Sequence, residues 1–237
     1  MNTDQYIRSR MLLGDNTLQQ IHNSKIALFG VGGVGGHCAD ALARAGVGEI
    51  HLFDNDTIAL SNLNRQLVAL HSTIGRLKVD VMKERILDIN PQCKVVATPL
   101  FYTPKSAHQV DLSHFDYVID CIDTVTAKIE LVVKCTEGGI PLISSMGSAN
   151  KFDPSAFVVT DISKTEGCPL ARVMRKELRD RGILRLKVVF SNETAKKPLP
   201  SFVDESVKRQ TPGSLPFVPA TAGLLLASAV VRDLGGY

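Results

Sequence analysis

A glycine-rich turn constrains the fold of this chain more than any other feature of its sequence. The turn covers 30–35, has the pattern G-x-G-x-x-G, and stands between a short apolar run and a small-residue helical segment at 37–45. In that context Gly30 allows the tight turn, Gly32 lets the main chain approach a phosphate, and Gly35 lets helix and strand pack closely. The N-terminus of the helix offers unpaired N–H groups to an anion. The pattern therefore predicts a nucleotide-binding βαβ unit.

An acidic residue stands at the distance from the turn where a nucleotide ribose would lie. The next strand-like segment, 49–53, ends before Asp54, which lies 19 residues after Gly35. In such units an Asp or Glu about 20 residues past the glycines binds the ribose hydroxyls. A glycine turn without a ligand is the alternative, but strand, helix and carboxylate all agree with a ligand. The motif does not identify the nucleotide, so an NAD-dependent oxidoreductase stays open.

Strand-like and helix-like segments alternate through the first two thirds of the chain. The predicted strands cover 26–29, 49–53, 94–98, 115–122 and 140–145, and the predicted helices cover 37–45, 75–90, 105–110 and 126–137. This alternation predicts an α/β fold of the Rossmann-like, doubly wound type with a mostly parallel sheet. In the last third, strand candidates at 155–160 and 186–190 surround a helix at 169–181, so we expect C-terminal antiparallel strands and helices to complete it.

The remaining segments complete a single predicted domain over 1–237. Residues 1–23 predict an N-terminal helical arm with a break at Gly14, and the Pro- and charge-rich stretch at 192–216 predicts a mobile loop. A closing helix at 219–234 contains an apolar run of about half a membrane span. We expect this helix to be buried or to lie at a dimer interface rather than in a membrane.

Cysteine usage and the first residues bear on the cellular compartment. The five cysteines include no C-x-x-C pair, which excludes the usual paired-cysteine zinc site. Their odd number and scattered placement suit a reducing compartment. The chain does not begin with a basic segment followed by an apolar run, so no secretory signal is expected. We therefore expect a cytoplasmic protein without an integral membrane segment.

The ends of the predicted strands collect the candidate site residues. Gly30, Asp54 and Asp123 each follow a strand, and ligands of doubly wound folds bind at those ends. Arg65 and Lys78 could bind phosphates, the first as a two-pronged donor and the second as a point charge. Asp123 could hold Mg²⁺ together with phosphate oxygens and waters. These charges favour ATP over NAD, and the sequence has no P-loop motif G-x-x-x-x-G-K-[ST].

One predicted helix in the last third is strongly basic. On the helix at 169–181, one face carries Arg172, Arg175, Lys176 and Arg179, and the other carries Leu170, Val173, Met174 and Leu178. Between 164 and 209 there are twelve Lys or Arg and six Asp or Glu, although the net charge of the whole chain is only +3. Such a face is either a solvated surface or a contact surface for a phosphate backbone.

The motifs together resemble those of a known family. They are Gly30-x-Gly-Gly-Val-Gly35, Asp54-x-Asp56, Ser61-Asn-Leu-Asn-Arg-Gln66, Lys78 and Asp120-x-x-Asp123. The chain resembles, over most of its length, the ThiF/MoeB/HesA superfamily of ubiquitin-activating-type adenylyltransferases. The segments 44–48, 89–91 and 164–171, with the basic helix, are most similar to its tRNA threonylcarbamoyladenosine dehydratase branch.

The resemblance implies roles for residues of this chain. It implies a nucleotide site formed by Gly30, Gly32, Gly33, Val34, Gly35, Asp54, Asp56, Asn62, Arg65, Gln66 and Lys78. Gly32 and Gly33 would lie under the phosphates, and Asp54 would bind the ribose. Asn62 and Arg65 would contact the phosphates, with Gln66 beside them. Lys78 would stabilise charge at the α-phosphate and Asp123 would bind Mg²⁺. Arg8 would reach the nucleotide of the other subunit of a homodimer.

The resemblance also implies an activity and its partners. Members of this branch use ATP and Mg²⁺ to activate the carboxylate of a threonylcarbamoyl group on an anticodon-loop adenosine of tRNA. The acyl-adenylate then closes to a cyclic oxazolone with loss of water. The implied partners are tRNA bearing threonylcarbamoyladenosine, a second copy of the chain, and a possible sulfur- or electron-transfer protein.

Besides the NAD-dependent oxidoreductase, two alternative functions stay open on the sequence alone. The chain could adenylate the C-terminal carboxylate of a ubiquitin-like or sulfur-carrier protein, although it lacks the paired zinc cysteines of those relatives. It could also be a non-catalytic nucleotide-binding scaffold, although a mere binder has no need of Arg65, Lys78 and Asp123. Cys168 is either a thioester nucleophile or a buried packing residue, which is the more common role of a free cysteine.

Overall fold

The structure is a computed structural model that describes residues 4–197, 199 and 212–237. Its seven strands are β1 (Lys25–Phe29), β2 (Glu49–Phe53), β3 (Lys94–Thr98), β4 (Tyr117–Asp120), β5 (Leu142–Ser145), β6 (Phe157–Asp161) and β7 (Lys187–Ser191). Its six α-helices are α1 (Ile7–Asn23), α2 (Gly35–Ala45), α3 (Lys78–Ile89), α4 (Val125–Gly138), α5 (Pro169–Arg179) and α6 (Phe217–Leu234). These counts refer to the described residues.

All seven strands form one sheet in the order β3-β2-β1-β4-β5-β7-β6. Every neighbouring pair is parallel except β6 with β7, which are antiparallel. The doubly wound, mostly parallel fold with antiparallel C-terminal strands is therefore confirmed. The strand order reverses between β1 and β4, where Leu28 pairs with Ile119. A ligand crevice is expected at the carboxyl ends of strands beside such a switch point.

Small residues let the closing helix α6 lie against the start of α2. A Cβ at Gly223 would collide with the carbonyl oxygen of Val34 and lie 3.0 Å from the amide nitrogen of Cys38. The buried side of α6 includes Val218, Ala222, Leu226 and Val230. Among the described residues, α6 is the one helix long and apolar enough to cross a membrane. Eight of its 18 residues are buried, so α6 packs in part against the rest of the fold. A dimer interface at its exposed residues, the other alternative, stays a prediction.

Several predicted boundaries shift for local reasons. The helix predicted to begin at 75 begins at Lys78, because Leu77 is extended and forms a bridge with Thr57. The strand predicted over 115–122 is limited to β4, and 105–110 holds a single 3₁₀ turn over Ala107–Gln109. Short apolar runs indicate a strand well but locate its ends poorly, because hydrogen-bond partners decide where it stops.

The arm and the loop each match their predictions in part. The main chain of α1 is non-helical at Gly14, with φ +77° and ψ 170°, so the predicted break is confirmed. The predicted loop at 192–216 includes residues 198 and 200–211, which lie outside the described residues, so its mobility stays a prediction. Both described ends of the loop meet Asn150, whose carbonyl oxygen accepts from the Lys196 amide at 2.7 Å and whose Oδ1 accepts from the Gly213 amide at 2.7 Å.

The basic helix differs from its predicted faces at two positions. The buried side of α5 consists of Ala171, Met174 and Leu178, whereas Val173, predicted on the apolar face, is exposed. Arg175, predicted on the basic face, lies one turn after Ala171 and therefore near the buried side. Its Nη1 donates to the carbonyl oxygen of Thr165 at 2.6 Å. The exposed basic face is thus formed by Arg172, Lys176 and Arg179.

Candidate nucleotide-binding site

A cavity of about 770 Å³ lies at the carboxyl ends of the central strands and collects most of the predicted site residues. The predicted residues that line it are Gly30, Gly32, Gly33, Val34, Asp54, Asp56, Asn62, Arg65, Gln66, Lys78 and Asp123. Two predicted residues do not line it. Gly35, the last residue of the glycine turn and the first of α2, is buried against the carbonyl oxygen of Gly30, and Arg8 is an exposed residue of α1.

The glycine turn is shaped by close main-chain contacts. Gly30 has φ +90°, and a Cβ there would lie 2.7 Å from the carbonyl oxygen of Cys121, at the end of β4. A Cβ at Gly35 would collide with the carbonyl oxygen of Gly30 itself. These contacts direct the N-terminus of α2 toward the cavity. The first N–H groups of a helix lack intrahelical acceptors, so they and the helix dipole can bind an anion here.

Asp54 supports the glycine turn and faces the cavity. Its Oδ2 accepts from the Val31 amide at 2.7 Å and its Oδ1 accepts from the Asp56 amide at 2.8 Å. A carboxylate has about four acceptor positions, so each oxygen can take a further hydrogen bond. Asp54 can therefore bind ribose hydroxyls without releasing the turn.

Lys78 and Asp56 form an ion pair in the cavity wall. Lys78 is the first residue of α3 and is buried, and its Nζ lies 2.6 Å from Oδ2 of Asp56. A buried ammonium group is unfavourable without a partner. Asp56, which the family resemblance assigns to the nucleotide, is in this structure the counter-ion that holds Lys78 at the cavity. Its contact with a nucleotide stays a prediction.

The turn that contains Asn62, Arg65 and Gln66 presents three polar side chains. Asn62 Oδ1 accepts from the Ala59 amide at 3.0 Å, and Arg65 Nη1 donates to the Ser61 carbonyl oxygen at 2.9 Å. A guanidinium carries five N–H groups, so Arg65 retains donors for a phosphate. Gln66 is only 8% exposed, and its Oε1 has no hydrogen-bond partner among the described residues. A ligand donor at that oxygen would remove the cost of leaving it unpaired.

A histidine lies close to this turn but is not among the residues that line the cavity. Burial lowers the pKa of His37, in the first turn of α2, below its ordinary value. A lowered pKa favours the uncharged imidazole at neutral pH. Among the described residues, the positively charged side chains that line the cavity are Arg65 and Lys78, as the sequence predicts.

Asp123 is an exposed carboxylate at the cavity, shortly after the end of β4. Thr124 Oγ1 donates to its Oδ1 at 3.4 Å, which leaves acceptor positions on both oxygens. Mg²⁺ in nucleotide sites is bound by one or two carboxylates together with phosphate oxygens and waters. The carboxylate oxygens of Asp123 are therefore suitable ligands for Mg²⁺, the ion that the family resemblance implies.

Two parts of the cavity wall were not singled out by the sequence. The first follows β3 and consists of Leu100, Phe101 and Tyr102. Phe101 is 58% exposed, which is unusual for an aromatic side chain and suits the face of a planar ligand. The second begins at the last residue of β5 and covers 145–149. Both follow predicted strands, and this position was the signal that could have identified them.

The cysteines nearest the cavity lack the features of activated nucleophiles. Cys121 lines the cavity, and burial, with the nearby Asp120, raises the pKa of its thiol well above the ordinary value. Cys168 is buried in an apolar cluster with Met146 and Met174. A nucleophilic cysteine needs a thiolate and access to substrate. The packing role of Cys168 therefore agrees with its surroundings.

The fold and the cavity define a nucleotide-binding protein of the doubly wound α/β class. The chain belongs to the ThiF family, whose model matches residues 6–237. The tRNA threonylcarbamoyladenosine dehydratase of Bacillus subtilis is 45% identical over an alignment that covers 97% of this chain and 94% of that relative. The crystal structure of the Escherichia coli tRNA N6-threonylcarbamoyladenosine dehydratase in complex with ATP matches with a TM-score of 0.88 and 34% identity, over 98% of this chain and 94% of that one.

A relative with a different activity matches less of the chain. The molybdopterin-synthase adenylyltransferase of Escherichia coli is 33% identical over 60% of this chain and 56% of its own length. The adenylyltransferase superfamily and its dehydratase branch, both suggested by the motifs, thus agree with the comparisons. The dehydratases of Bacillus subtilis and Escherichia coli match nearly the full chain, whereas this relative matches little more than half of it.

Proposed function

We propose that this protein is an ATP-dependent enzyme that dehydrates threonylcarbamoyladenosine in tRNA. The observation that carries the proposal is the convergence of Arg65, Lys78 and Asp123 with the N-terminus of α2 on one cavity. The 45% identity to a dehydratase over nearly the full chain supports the substrate. The ATP complex of the similar Escherichia coli enzyme supports the nucleotide.

The walls of the cavity divide into a nucleotide half and an acyl half. In the nucleotide half, Gly32 and Gly33 approach the phosphates, Asp54 binds the ribose, and Phe101 lies against the adenine. We assign the acyl half to 145–149 and Pro219, which also line the cavity. The segment 145–149 begins at the end of β5, and β5 and β3 lie on opposite sides of β1 in the sheet. The substrate carboxylate enters from the acyl half and meets the α-phosphate between the two halves.

The chemistry requires positioning and charge stabilisation more than a covalent nucleophile. A carboxylate oxygen attacks the α-phosphorus, and the bond to the leaving pyrophosphate breaks. Arg65 and Lys78 stabilise the negative charge of the phosphates during this step. Mg²⁺ held by Asp123 would neutralise charge on the phosphate oxygens. A carbamoyl atom of the same substrate then attacks the acyl carbon, and the carbamoyl group releases one proton. AMP leaves with the former carboxylate oxygen, so the substrate has lost the elements of one water in total.

Mass spectrometry of nucleosides tests the proposed reaction. Purified protein, ATP and Mg²⁺ are incubated with tRNA bearing threonylcarbamoyladenosine, and the digested nucleosides are weighed. We expect the modified nucleoside to lose one water only when ATP is present, and AMP to form in equal amount. Arg65→Ala protein is the matched control and should leave the nucleoside unchanged. An unchanged mass with wild-type protein that still binds ATP would refute the dehydratase and favour a protein carboxylate as the substrate.

The exposed basic face of α5 is the proposed contact surface for the tRNA backbone. Arg172, Lys176 and Arg179 are not buried and lie at helical spacings of four and three residues. Leu170, at the start of the same helix, lines the cavity. A tRNA on this face would therefore have its modified nucleotide close to the acyl half of the cavity.

Charge reversal on this face should weaken tRNA binding in a salt-dependent way. In the variant Arg172→Glu with Lys176→Glu, we expect the slope of log affinity against log salt to fall by about one for each phosphate that the helix no longer neutralises. Filter binding at several salt concentrations measures the slope. The control variant Lys105→Glu with Arg232→Glu makes the same change in net charge at residues outside α5 that are not buried. An equal slope in wild type and in the α5 variant would show a solvated helix face.

The oligomeric and cellular parts of the proposal rest on the family resemblance and on the arm. Arg8 is exposed on α1, and the apolar side chains of Met11 and Leu12 beside it are also exposed. An exposed apolar patch on a helical arm suits a contact with a second copy of the chain. We propose a cytoplasmic homodimer in which Arg8 reaches the partner's nucleotide, and a sulfur- or electron-transfer protein as a further partner. Mixing of inactive variants tests the role of Arg8, and co-purification tests the further partner.

A further inference from the structure

A fully buried ion pair lies directly beneath the candidate site. Lys128 of α4 and Asp120 at the end of β4 both have side chains with 0% exposure, and Nζ lies 2.9 Å from Oδ2. Removing two charges from water is costly, and such a pair is often no more stabilising than apolar residues of the same shape. The presence of the ion pair at this position is therefore better explained by the main-chain groups that it binds than by a contribution to the stability of the fold.

The pair holds the main chain of the residue that precedes Asp123. Lys128 Nζ donates to the carbonyl oxygen of Ile122 at 2.9 Å, and Asp120 Oδ1 accepts from the Ile122 amide at 3.1 Å. Both main-chain groups of Ile122 are thus bound by the two members of one ion pair. Ser144 Oγ donates to Asp120 Oδ2 at 2.6 Å and connects the pair to β5.

The same segment also supports the glycine turn. The amide of Cys121 donates to the carbonyl oxygen of Phe29 at 2.8 Å, and the Cys121 carbonyl oxygen lies against Gly30. The segment 120–123 therefore ends with the proposed metal ligand, Asp123, and contacts the phosphate-binding turn through Cys121. A shift of this segment would displace Asp123 relative to the phosphates.

We propose that Lys128 and Asp120 are positioning residues that fix the direction of the Asp123 carboxylate toward the metal–triphosphate group. The proposal rests on the proposed function, because the role of Asp123 as a Mg²⁺ ligand is part of it. The ion pair does not contact the ligand. It acts through the main chain of Ile122, as hydrogen-bonded groups behind a metal ligand commonly do.

Variants of the pair can separate positioning from stability. Lys128→Met alone leaves the Asp120 carboxylate buried without its counter-ion, so this protein can fail to fold. The double variant Lys128→Met with Asp120→Asn removes both charges at nearly constant volume and is the variant to measure. Lys134→Met is the matched control, because it makes the same change on the same helix at a partly exposed lysine that pairs with Glu130 at 3.8 Å.

Two readouts apart from turnover test the double variant. Calorimetry of ATP binding with and without Mg²⁺ gives the gain in affinity that the metal provides, and hydrogen exchange reports the amides of 121–123. We expect ATP binding without Mg²⁺ to stay near the wild-type value. The Mg²⁺ concentration for half-maximal pyrophosphate exchange should rise about 10- to 100-fold. Hydrogen exchange at the amides of 121–123 should become faster. The Lys134→Met control should match wild type in all three measurements.

The outcomes separate the two proposals. Asp123→Asn is measured in the same way, and unchanged Mg²⁺ dependence in that variant would refute the proposed role of Asp123. Altered Mg²⁺ dependence in Asp123→Asn, with wild-type dependence in the double variant, would overturn the positioning role alone. Loss of ATP affinity without Mg²⁺ in the double variant would also overturn it, because the pair would then support the whole site.

Discussion

Replacing Arg65 by Ala is expected to reduce the rate of ATP–pyrophosphate exchange about 10²- to 10³-fold, the usual cost of removing one preorganised donor from a developing charge. Arg65 lines the cavity, and its guanidinium is oriented by the carbonyl oxygen of Ser61 and by Oδ1 of Asn64, both at 2.9 Å. A phosphate therefore meets donors that need little rearrangement. Asp123→Ala should reduce the rate of exchange by a similar factor, because this variant lacks the proposed Mg²⁺ ligand.

The chemistry of the side chain provides a graded test. Arg65→Lys keeps the charge but removes the two-pronged donor, so it should recover only part of the rate. Arg44→Ala is the control, because Arg44 is an exposed arginine that pairs with Asp40 and is not among the residues that line the cavity. An Arg65→Ala enzyme within about threefold of wild type would contradict the assignment of Arg65 to the phosphates.

The same variant tests whether Arg8 acts on the partner's nucleotide. Arg65→Ala and Arg8→Ala proteins are each expected to be inactive, but a mixed dimer would contain one site with both arginines. After random exchange of subunits at equal amounts, about a quarter of the wild-type activity should return, as follows from closed two-fold symmetry. If activity does not return although subunits exchange, Arg8 does not act across the dimer.

The second large effect concerns the substitution by Ala of two glycines of one turn, where one variant should lose stability and the other should lose ATP affinity. Gly35→Ala places a methyl group against the carbonyl oxygen of Gly30, so it should lower the free energy of unfolding by about 2 kcal/mol or more. Gly32→Ala meets nothing within 4 Å and its φ lies outside the left-handed region, so it should change stability by less than about 0.5 kcal/mol. Its methyl group instead faces the cavity, and ATP affinity should fall.

Urea denaturation and calorimetry together distinguish the two glycines. The Gly35 variant should unfold at lower urea concentration, and the Gly32 variant should unfold like wild type but bind ATP more weakly. Wild-type ATP affinity in Gly32→Ala would remove that residue from the phosphate site. An unchanged urea midpoint in Gly35→Ala would mean that the turn can move away from the helix.

Local patterns were enough to predict the parts of the site that depend on short stretches of chain. The glycine turn, the strand that precedes it and the position of Asp54 are set within about 30 residues, which is the length of one βαβ unit. The connection rules of parallel sheets then place the carboxyl ends of neighbouring strands at one edge. This is why Gly30, Asp54 and Asp123 could be expected at one cavity before their distances were known.

Contacts between distant segments could not be inferred in the same way. Nothing in a local pattern shows that Asp56 pairs with Lys78, that Arg175 turns back to Thr165, or that Gly223 lets α6 approach α2. Lys128 left a signal, since it lies three residues before Leu131 on the buried side of α4, where a lysine is unusual. That signal does not show that Asp120 is the counter-ion of Lys128.

The sequence by itself determined the fold class, the nucleotide-binding turn and the residue types that converge on the cavity, because strand and helix periodicity and the conformational freedom of glycine act over short distances. Only the tertiary structure decided which charges pair with each other and which remain available to a ligand. The physical reason is that a charge excluded from water must find its partner in space. Packing of the whole sheet brings Lys128, Asp120 and Ser144 together from three separate elements.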